Sequence, residues 1–207
     1  MAKGGSYEIE ISRRLSEWIT GKRKPELFWR SAGSGSVGTV SRKTNKETNI
    51  IGDLMAIEQD GVWLMEHFAI EIKRGYGFKF DELLNRQPDL LDWVGGKVTT
   101  REIKKGKHKG KIKNVRDEKE LILVWWEEIK RACEMTKRHP LLIMKKDQYP
   151  PYIVFDYRVA TIMGNMFGDI PNDNIKTHDL RGEIMFISKL EDFLGLVDPF
   201  TLKEHFS

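Results

Sequence analysis

Residues 50–74 read IIGDLMAIEQDGVWLMEHFAIEIKR, a stretch with two apolar runs and several charged residues. Asp53 lies near its start, while Glu71 and Lys73 lie near its end, one on each side of an isoleucine. Side chains two positions apart on a strand point to the same face, so Glu71 and Lys73 are predicted to project together. Two charged residues on one face of an apolar strand suit either an exposed ion pair or a water-filled cleft in which they act chemically.

The apolar runs of this stretch predict two strands, one over Ile50–Glu58 and one within Val62–Lys73. The Asp-Gly pair between them is typical of a tight turn. A tight turn would place Asp53 about three positions short of Glu71, which is ~10 Å along a strand. The two carboxylates can therefore meet only if residues 59–67 form a bulge or a wider connection.

The carboxylates of Asp53 and Glu71 are suitable ligands for Mg²⁺, or for Mn²⁺ in its place, because these hard cations prefer oxygen donors. The backbone carbonyl of Ile72 is a further candidate ligand. The metal would activate a water and offset charge on a phosphate, while Lys73 would orient that water or stabilise the transition state. The pattern therefore predicts a metal-dependent phosphodiesterase, with an ordinary exposed ion pair as the alternative.

A helix is predicted over residues 6–20, where apolar side chains recur from Tyr7 at i+4, i+8 and i+11. Glu8 lies beside this apolar stripe, near the start of the helix. A short strand at Leu27–Trp29 follows. The N-terminal region is therefore expected to bring an acid to the edge of the core.

The loop after residue 29 contains a literal GxGxxG at Gly33, Gly35 and Gly38. A dinucleotide site requires a helix directly after these glycines, but the polar residues that follow have no helical periodicity. The loop is therefore either a flexible connection or a segment whose backbone N–H groups, serine hydroxyls and Arg30 meet phosphates.

The chain of 207 residues, 40% apolar and 32% charged, fits one elaborated globular domain or a domain with an appendage. It has no apolar run near the ~20 residues that a membrane span needs. The first residues lack the apolar segment of a secretory signal, and the single Cys133 excludes an internal disulfide framework and a multi-cysteine zinc site. We therefore expect a cytoplasmic protein without a membrane partner.

The formal net charge is +4, but residues 101–116 carry eight lysines and arginines against one acid, a local charge of +7. A concentrated basic segment on an otherwise balanced chain is typical of a protein that binds a polyanion. We predict a nucleic-acid contact in a mobile loop or an extended hairpin, and a solvated loop is the alternative. The lysines concerned are Lys104, Lys105, Lys107, Lys109, Lys111 and Lys113.

The second half of the chain predicts one long helix and further strands. The helix is expected over residues 121–138, with Trp125, Trp126 and Cys133 on its apolar stripe and therefore in the core. Leu141–Met144 is wholly apolar and is expected at the centre of the sheet. The other predicted elements are strands at Tyr152–Val159 and Glu183–Ile187 and two short helices opened by capping boxes at Ser188 and Thr201.

An acid in the first helix, a serine-bearing loop, an aspartate and an ExK pair occur in this order along the chain. Together they resemble the PD-(D/E)xK nuclease superfamily and, within it, the archaeal-type Holliday junction resolvases and related phage or prophage nucleases. The resemblance covers residues 6–75 and, more loosely, 120–160. The residues that carry it are Glu8, Arg30, Ser34, Ser36, Asp53, Glu71 and Lys73, with Gly52 in place of the usual proline.

The resemblance implies a role for each matching residue. Asp53 and Glu71 would be metal ligands, and Lys73 would be the catalytic lysine. Glu8 would complete the catalytic set by assisting the metal, directly or through a water. Glu10 competes with Glu8 for this role, although the spacing of Glu8 fits the superfamily better.

The resemblance also implies the architecture and the DNA contacts. The fold would be α/β, with a restriction-endonuclease-like mixed central sheet flanked by helices. A nuclease core would span residues 1–160 with a basic insertion at about 97–118, and a C-terminal extension at 161–207 would pack on it. The loop residues expected to contact the scissile region or adjacent phosphates are Arg30, Ser34 and Ser36.

The implied function is that of a Mg²⁺-dependent DNA endonuclease that resolves Holliday junctions by hydrolysing phosphodiester bonds. Its partner would be branched or duplex DNA in a bacterial or phage-infected cell, and it would act as a homodimer because two symmetric strands must be cut. The alternatives are another structure-specific or nicking nuclease of the same fold, and a non-catalytic DNA-binding or packaging accessory protein. The intact acids and lysine argue against the last of these.

Overall fold

The structure is a computed structural model, and it describes residues 3–22, 25–31, 51–74, 99–102, 112–115, 118–147, 149–167, 175–180 and 183–206. The helices in this part of the chain are α1 (Lys3–Thr20), α2 (Gln59–His67), α3 (Glu118–Thr136), α4 (Tyr157–Phe167), α5 (Leu190–Leu196) and α6 (Pro199–Phe206). The strands are β1 (Phe28–Arg30), β2 (Leu54–Ala56), β3 (Phe68–Arg74), β4 (Thr99–Glu102), β5 (Ile112–Val115), β6 (His139–Lys145), β7 (Tyr152–Asp156), β8 (Ile175–Leu180) and β9 (Glu183–Lys189).

A five-stranded mixed sheet in the order β3-β6-β7-β9-β8 forms the centre of the molecule. Strands β3 and β6 run parallel, and every other neighbouring pair in this sheet runs antiparallel. The apolar segment Leu141–Met144 lies within β6, between two other strands, and its side chains are buried. The predicted mixed sheet with helices around it, and the central position of this segment, are therefore confirmed.

The sheet separates two apolar clusters. On one face, α3 packs Ile122, Trp125, Trp126, Ile129 and Cys133 against the sheet, so the predicted core positions on this helix are confirmed. On the other face, side chains from α1, α2, α4, α5 and α6 share a larger cluster with the sheet. Alternating residues of β3 thus contribute to both clusters, which fixes where each of its side chains points.

The tight turn predicted at residues 60–61 is wrong, because the connection between β2 and β3 is the helix α2. Gly61 is a buried residue of this helix, and a Cβ atom there would come within 2.9 Å of the Phe28 ring and 3.1 Å of Leu27. The glycine therefore allows α2 to lie close to β1, and it does not serve a hairpin turn. Strand β2 pairs antiparallel with β1, not with β3.

The two predicted capping boxes are also wrong, although both helices exist. Ser188 belongs to β9, and the residue that precedes α5 is Lys189, which makes no side-chain capping bond. Helix α6 begins at Pro199, before Thr201, and the Asp198 carboxylate accepts hydrogen bonds from the Thr201 N–H and hydroxyl, each at 2.8 Å. An aspartate followed by proline thus starts this helix.

The ends of the basic segment form a small antiparallel pair of strands, β4 and β5, in which Arg101 is the partner of Lys113. This agrees with the predicted extended hairpin, whose central residues 103–111 lie outside the described part. The division into a core over 1–160 and an extension over 161–207 stays a prediction. Within the latter range, β9 pairs with β7 in the central sheet.

None of the helices in the described ranges is long and apolar enough to cross a membrane.

Candidate active site

Asp53 is joined to β3 by two hydrogen bonds. Its backbone N–H donates to the carbonyl of Ile70 at 2.7 Å, and its carboxylate Oδ2 accepts from the Ile72 N–H at 2.7 Å. These bonds align Asp53 with the residues on either side of Glu71, so the offset of a tight hairpin does not arise. Since a strand residue directs its N–H and its C=O to the same edge, the Ile72 carbonyl also faces the Asp53 side.

Gly52 permits this close approach. Its φ angle is +87°, and a Cβ atom there would lie 2.5 Å from the carbonyl oxygen of Ile70. Ser31 supports the same segment: its N–H donates to the Asp53 carbonyl at 2.8 Å, and its hydroxyl donates to the Gly52 carbonyl at 2.9 Å. A glycine before the aspartate is therefore required by the backbone geometry.

Glu71 and Lys73 project from the face of β3 that is covered by α3, as their spacing predicts, and Ala69 on the same face is buried among the α3 side chains. The two charged side chains form an ion pair, and each is only about a fifth exposed, at 19% and 20%. Glu71 also lines a small cavity with Glu128 of α3. The pair is therefore partly covered by α3, in contrast to an ordinary exposed pair.

Two acids of α1 point in different directions. Glu8 forms an ion pair with Arg30 at the end of β1, and its side chain is 12% exposed. Its negative charge also acts on Asp53. Glu10 instead lies 3.7 Å from the ammonium group of Lys145. Of the two candidates for the helix acid, Glu8 is thus the one that lies toward Asp53.

Burial, and then the negative charge of Glu71, raise the pKa of Asp53 from 3.8 to about 7. The charge of Glu8 raises it further, while the Ile72 N–H and the positive charge of Lys73 lower it. Carboxylates that raise the pKa of a buried neighbour make a region where a cation is favourable.

The donor set suits a hard divalent cation. Asp53 and Glu71 supply carboxylate oxygens, and the Ile72 carbonyl faces the same side as Asp53. Across the described ranges, no group of three or more His, Cys, Asp and Glu side chains could hold a metal ion. A site with two carboxylates fits Mg²⁺, which keeps several waters and substrate oxygens as ligands, better than it fits an ion that needs a full protein cage.

A family model matches almost the whole chain, over residues 1–100 and 95–204, and its description is "Phage putative PDDEXK endonuclease". The chain belongs to this family. No curated protein and no solved structure matches this chain.

Membership of the phage PDDEXK endonuclease family confirms the predicted superfamily, the nuclease class and the restriction-endonuclease-like fold. The order of the polar residues along the chain and the mixed sheet are both typical of this fold.

Several predicted DNA contacts in this PDDEXK chain lie outside the described residues. Arg30 is described and holds Glu8. Lys113 lies in β5, of which the structure describes the backbone. The remaining residues, which are outside the described ranges, are Ser34, Ser36, Lys104, Lys105, Lys107, Lys109 and Lys111.

Ser31 and Gly52 contribute to the site in ways that the sequence does not predict. Ser31 is 3% exposed and holds the backbone of both Gly52 and Asp53. A buried serine at the end of a strand gives no local signal of this role. The glycine was visible in the sequence, but its necessity depends on the distance to the Ile70 backbone.

Proposed function

We propose that this protein is a divalent-metal-dependent DNA endonuclease that cuts four-way junctions. The observation that carries the proposal is the anchoring of the Asp53 carboxylate on the Ile72 N–H, between Glu71 and Lys73 in sequence. This arrangement joins an acid that precedes β2 to an acid and a lysine of β3, in a chain of a nuclease family. Such a convergence is expected for a phosphodiesterase site.

Asp53, Glu71 and the Ile72 carbonyl would hold the metal, and Mg²⁺ fits this donor set, with Mn²⁺ as a substitute. When bound, the metal would lower the pKa of a water and offset the charge that develops on the phosphate. The Ile72 N–H keeps the Asp53 carboxylate in one orientation before any ligand binds. This preorganisation reduces the reorganisation that the reaction requires.

The cationic side chains would act on the substrate. Lys73 forms an ion pair with Glu71, and in the proposed reaction its ammonium group would face the scissile phosphate or the attacking water. Arg30 holds Glu8 at the Asp53 side of the site. We assign Glu8 as the acid that assists the metal through water, since Glu10 lies toward Lys145.

The choice of a four-way junction rests on the resemblance to junction-resolving enzymes in the order of Glu8, Arg30, Asp53 and the ExK pair. Paired cuts on two symmetric strands need two active sites, so the proposal includes a homodimer. The basic residues around β4 and β5 would then hold DNA arms outside the cut.

The test is cleavage of a labelled synthetic four-way junction and of a linear duplex with the same arm sequences, with Mg²⁺ or Mn²⁺ and with a chelator. We expect paired symmetric nicks in the junction and slower cutting of the duplex. Glu71→Gln should reduce cleavage by about 10²–10³-fold while DNA binding persists. Glu191→Gln, which removes an acid that is ion-paired with Arg14 and 71% exposed, is the matched control and should cut normally.

The outcomes separate the parts of the proposal. Equal cutting of junction and duplex would retain the nuclease and reject the junction preference. Full activity of Glu71→Gln would reject the assigned site. No metal-dependent cutting of either DNA would favour a DNA-binding accessory protein.

A further inference from the structure

Two basic residues lie side by side at the carboxyl ends of the parallel strands β3 and β6. Arg74 and Lys145 are register partners in this pair of strands. Both approach the same aromatic ring from α1, because the Arg74 guanidinium carbon is 5.5 Å and the Lys145 ammonium nitrogen 5.7 Å from the Tyr7 ring centroid. One buried ring therefore holds two cations close together.

Each of these cations has an acid nearby, but both acids are exposed and both contacts are long. Asp147 is 3.7 Å from Arg74, and Glu10 is 3.7 Å from Lys145, so neither acid is within hydrogen-bond distance. The two acids are 56% and 42% exposed, whereas Arg74 and Lys145 are 26% and 24% exposed. Weak, solvated partners of this kind can be displaced by a stronger anion.

Two buried polar atoms in the same cluster have no hydrogen-bond partner within the described residues. These atoms are the Arg74 Nε and the Tyr7 hydroxyl, and the Tyr7 side chain is fully buried. Burying an unsatisfied donor costs free energy, so a site that retains one is unlike a purely structural ion pair. An anion would meet the exposed parts of Arg74 and Lys145, while the buried Nε and hydroxyl lie behind them.

We propose that Arg74 and Lys145 bind a DNA backbone phosphate next to the scissile one, and that Tyr7 positions both cations. This inference rests on the proposed function, since it places the second phosphate relative to the Asp53 and Glu71 site. Arg74 is three residues beyond Glu71 on β3, or ~10 Å, and its side chain lies on the α1 face of the sheet, whereas Glu71 projects from the α3 face. Only a DNA strand that passes over the end of the sheet could meet both residues. The DNA strand would then cross the carboxyl ends of β3 and β6.

The nature of the two cations supports a phosphate as the ligand. The guanidinium of Arg74 has a planar set of donors that matches two phosphate oxygens, and the Lys145 ammonium adds a point charge. A phosphate also relieves the repulsion between two cations that share one ring. The contact is with the backbone, so it gives affinity and register without reading the base sequence.

The first test measures the salt dependence of DNA binding for Arg74→Gln and Lys145→Gln. With a chelator present, so that no DNA is cut, the affinity for a short labelled duplex is measured over a range of salt concentrations. Each substitution should weaken binding about tenfold at low salt and reduce the slope of log affinity against log salt by about 0.9. A double variant should reduce the slope by about twice as much.

Arg158→Gln is the matched control. Arg158 is also an arginine whose guanidinium carbon lies 5.5 Å from an aromatic ring, that of Phe206, but it follows β7 at the opposite end of the sheet. The Arg158→Gln substitution removes the same charge and the same type of contact, and it should leave the slope of log affinity against log salt unchanged. Equal slopes for Arg74→Gln, Lys145→Gln and wild type would overturn the proposal, as would an equal loss in the control.

The second test identifies the phosphate. Duplexes in which a single phosphate near the cut position is replaced by a neutral methylphosphonate should bind wild type more weakly at one position. The same replacement should have no effect on the Arg74→Gln, Lys145→Gln double variant. A full effect of every replacement on that variant would contradict the assignment.

The third test concerns Tyr7 as a positioning residue. Tyr7→Leu removes the ring and should weaken binding and lower the salt slope, while the conservative Tyr7→Phe should restore both. Weak binding by both variants would overturn the positioning role, and the arginine and lysine variants decide the site if Tyr7→Leu does not fold. If wild type binds DNA but never cuts it, the proposed function fails, while these binding results still decide whether the phosphate site exists.

Discussion

The two ends of the parallel strand pair β3–β6 have opposite characters. The carboxyl end carries charged side chains that are 19–26% exposed, and these belong to Glu71, Lys73, Arg74 and Lys145. The amino end is closed by rings: Phe206 of α6 lies edge-on to Phe68 at 4.8 Å and 4.8 Å from the ring of His139. Both ends belong to the same sheet, so the difference comes from what covers each end.

Charge at the amino end is satisfied within the fold. The His139 Nδ1 lies 2.8 Å from Asp156 Oδ2, and Asp156 Oδ1 accepts the Val159 N–H at 3.0 Å at the start of α4. At the carboxyl end, burial and neighbouring acids raise the pKa of Asp53 to about 7. The comparison supports the proposal that the carboxyl end binds a ligand, whereas the amino end stabilises the protein.

Asp53→Asn is expected to have the largest effect, with cleavage and stability changing in opposite directions. Cleavage should fall by at least about 10²–10³-fold because the amide cannot replace a charged metal ligand. Stability should nevertheless rise. The pKa of Asp53 is about 7 in the fold and 3.8 ordinarily, so the folded state holds its proton more tightly, and the aspartate destabilises the fold increasingly as pH rises from about 4 to 7.

We therefore expect Asp53→Asn to increase the free energy of unfolding of the metal-free protein by about 1–3 kcal/mol at pH 8, and by less at pH 5. Urea unfolding at both pH values in a chelator measures this. The Asn oxygen can still accept the Ile72 N–H, so that bond is preserved. A loss of stability at pH 8 would show that the charge is compensated within the fold.

Gly52→Ala should disturb the site at the carboxyl end of β3 by shifting the backbone that carries Asp53. A Cβ atom 2.5 Å from the Ile70 carbonyl oxygen, at a φ of +87°, must shift the segment that carries Asp53. A displacement of about 1 Å is expected to reduce cleavage ~10²-fold, and the strain should cost about 1–3 kcal/mol of stability. The nuclease rate and urea unfolding are measured together.

Gly164→Ala is the control for this glycine. Gly164 lies in α4, where a Cβ atom would meet nothing within 4 Å, so the substitution should be neutral or stabilise the helix by up to about 1 kcal/mol. Normal cleavage by Gly52→Ala would mean that the approach of Gly52 to β3 does not position Asp53.

The comparison also shows which features a single sequence can reveal. The central strand β6 was predictable because burial on both faces leaves a wholly apolar run at Leu141–Met144. Asp53, Glu71 and Lys73 were predicted as a site from residue type and order and from the resemblance to a nuclease superfamily, and their catalytic roles stay a prediction. The juxtaposition of these residues was not predictable, because it depends on the connection over residues 59–67.

Two local sequence patterns led to wrong predictions, because contacts with residues far along the chain determine the local structure. An Asp-Gly pair is typical of a hairpin, but Gly61 lies in a helix that contacts Phe28 of another strand. The apolar run from Tyr152 to Val159 predicted one strand, but the chain turns into α4 after Asp156, whose carboxylate caps that helix. Neither outcome can be deduced from the run of residues alone.

Phe206→Ala should affect the amino end without affecting the chemistry. The ring contacts Phe68 and His139, so its removal should reduce the free energy of unfolding by about 1–3 kcal/mol. Cleavage at 25 °C by the folded protein should remain normal. Phe200→Ala is the control, since Phe200 is in the same helix but 64% exposed, and its loss should change stability by less than about 0.5 kcal/mol.

Loss of cleavage in Phe206→Ala at a temperature where the protein is folded would contradict the separation of the two ends. It would mean that α6 influences the site across the length of β3.

The smallest effect is expected for Asp156→Asn. The amide oxygen can still accept the Val159 N–H, but the negative charge beside His139 is lost, so stability should fall by less than about 1 kcal/mol. Asp156→Ala also removes the helix cap and should cost about 1–2 kcal/mol. Both are measured by urea unfolding, with cleavage as the second readout.

An acid at the amino end of β3 and β6 should thus contribute stability and no activity, whereas Asp53 should contribute activity at the expense of stability. A loss of cleavage in Asp156→Asn that exceeds its loss of stability would show that the His139 pair acts on the site, and the two ends would then be one functional unit.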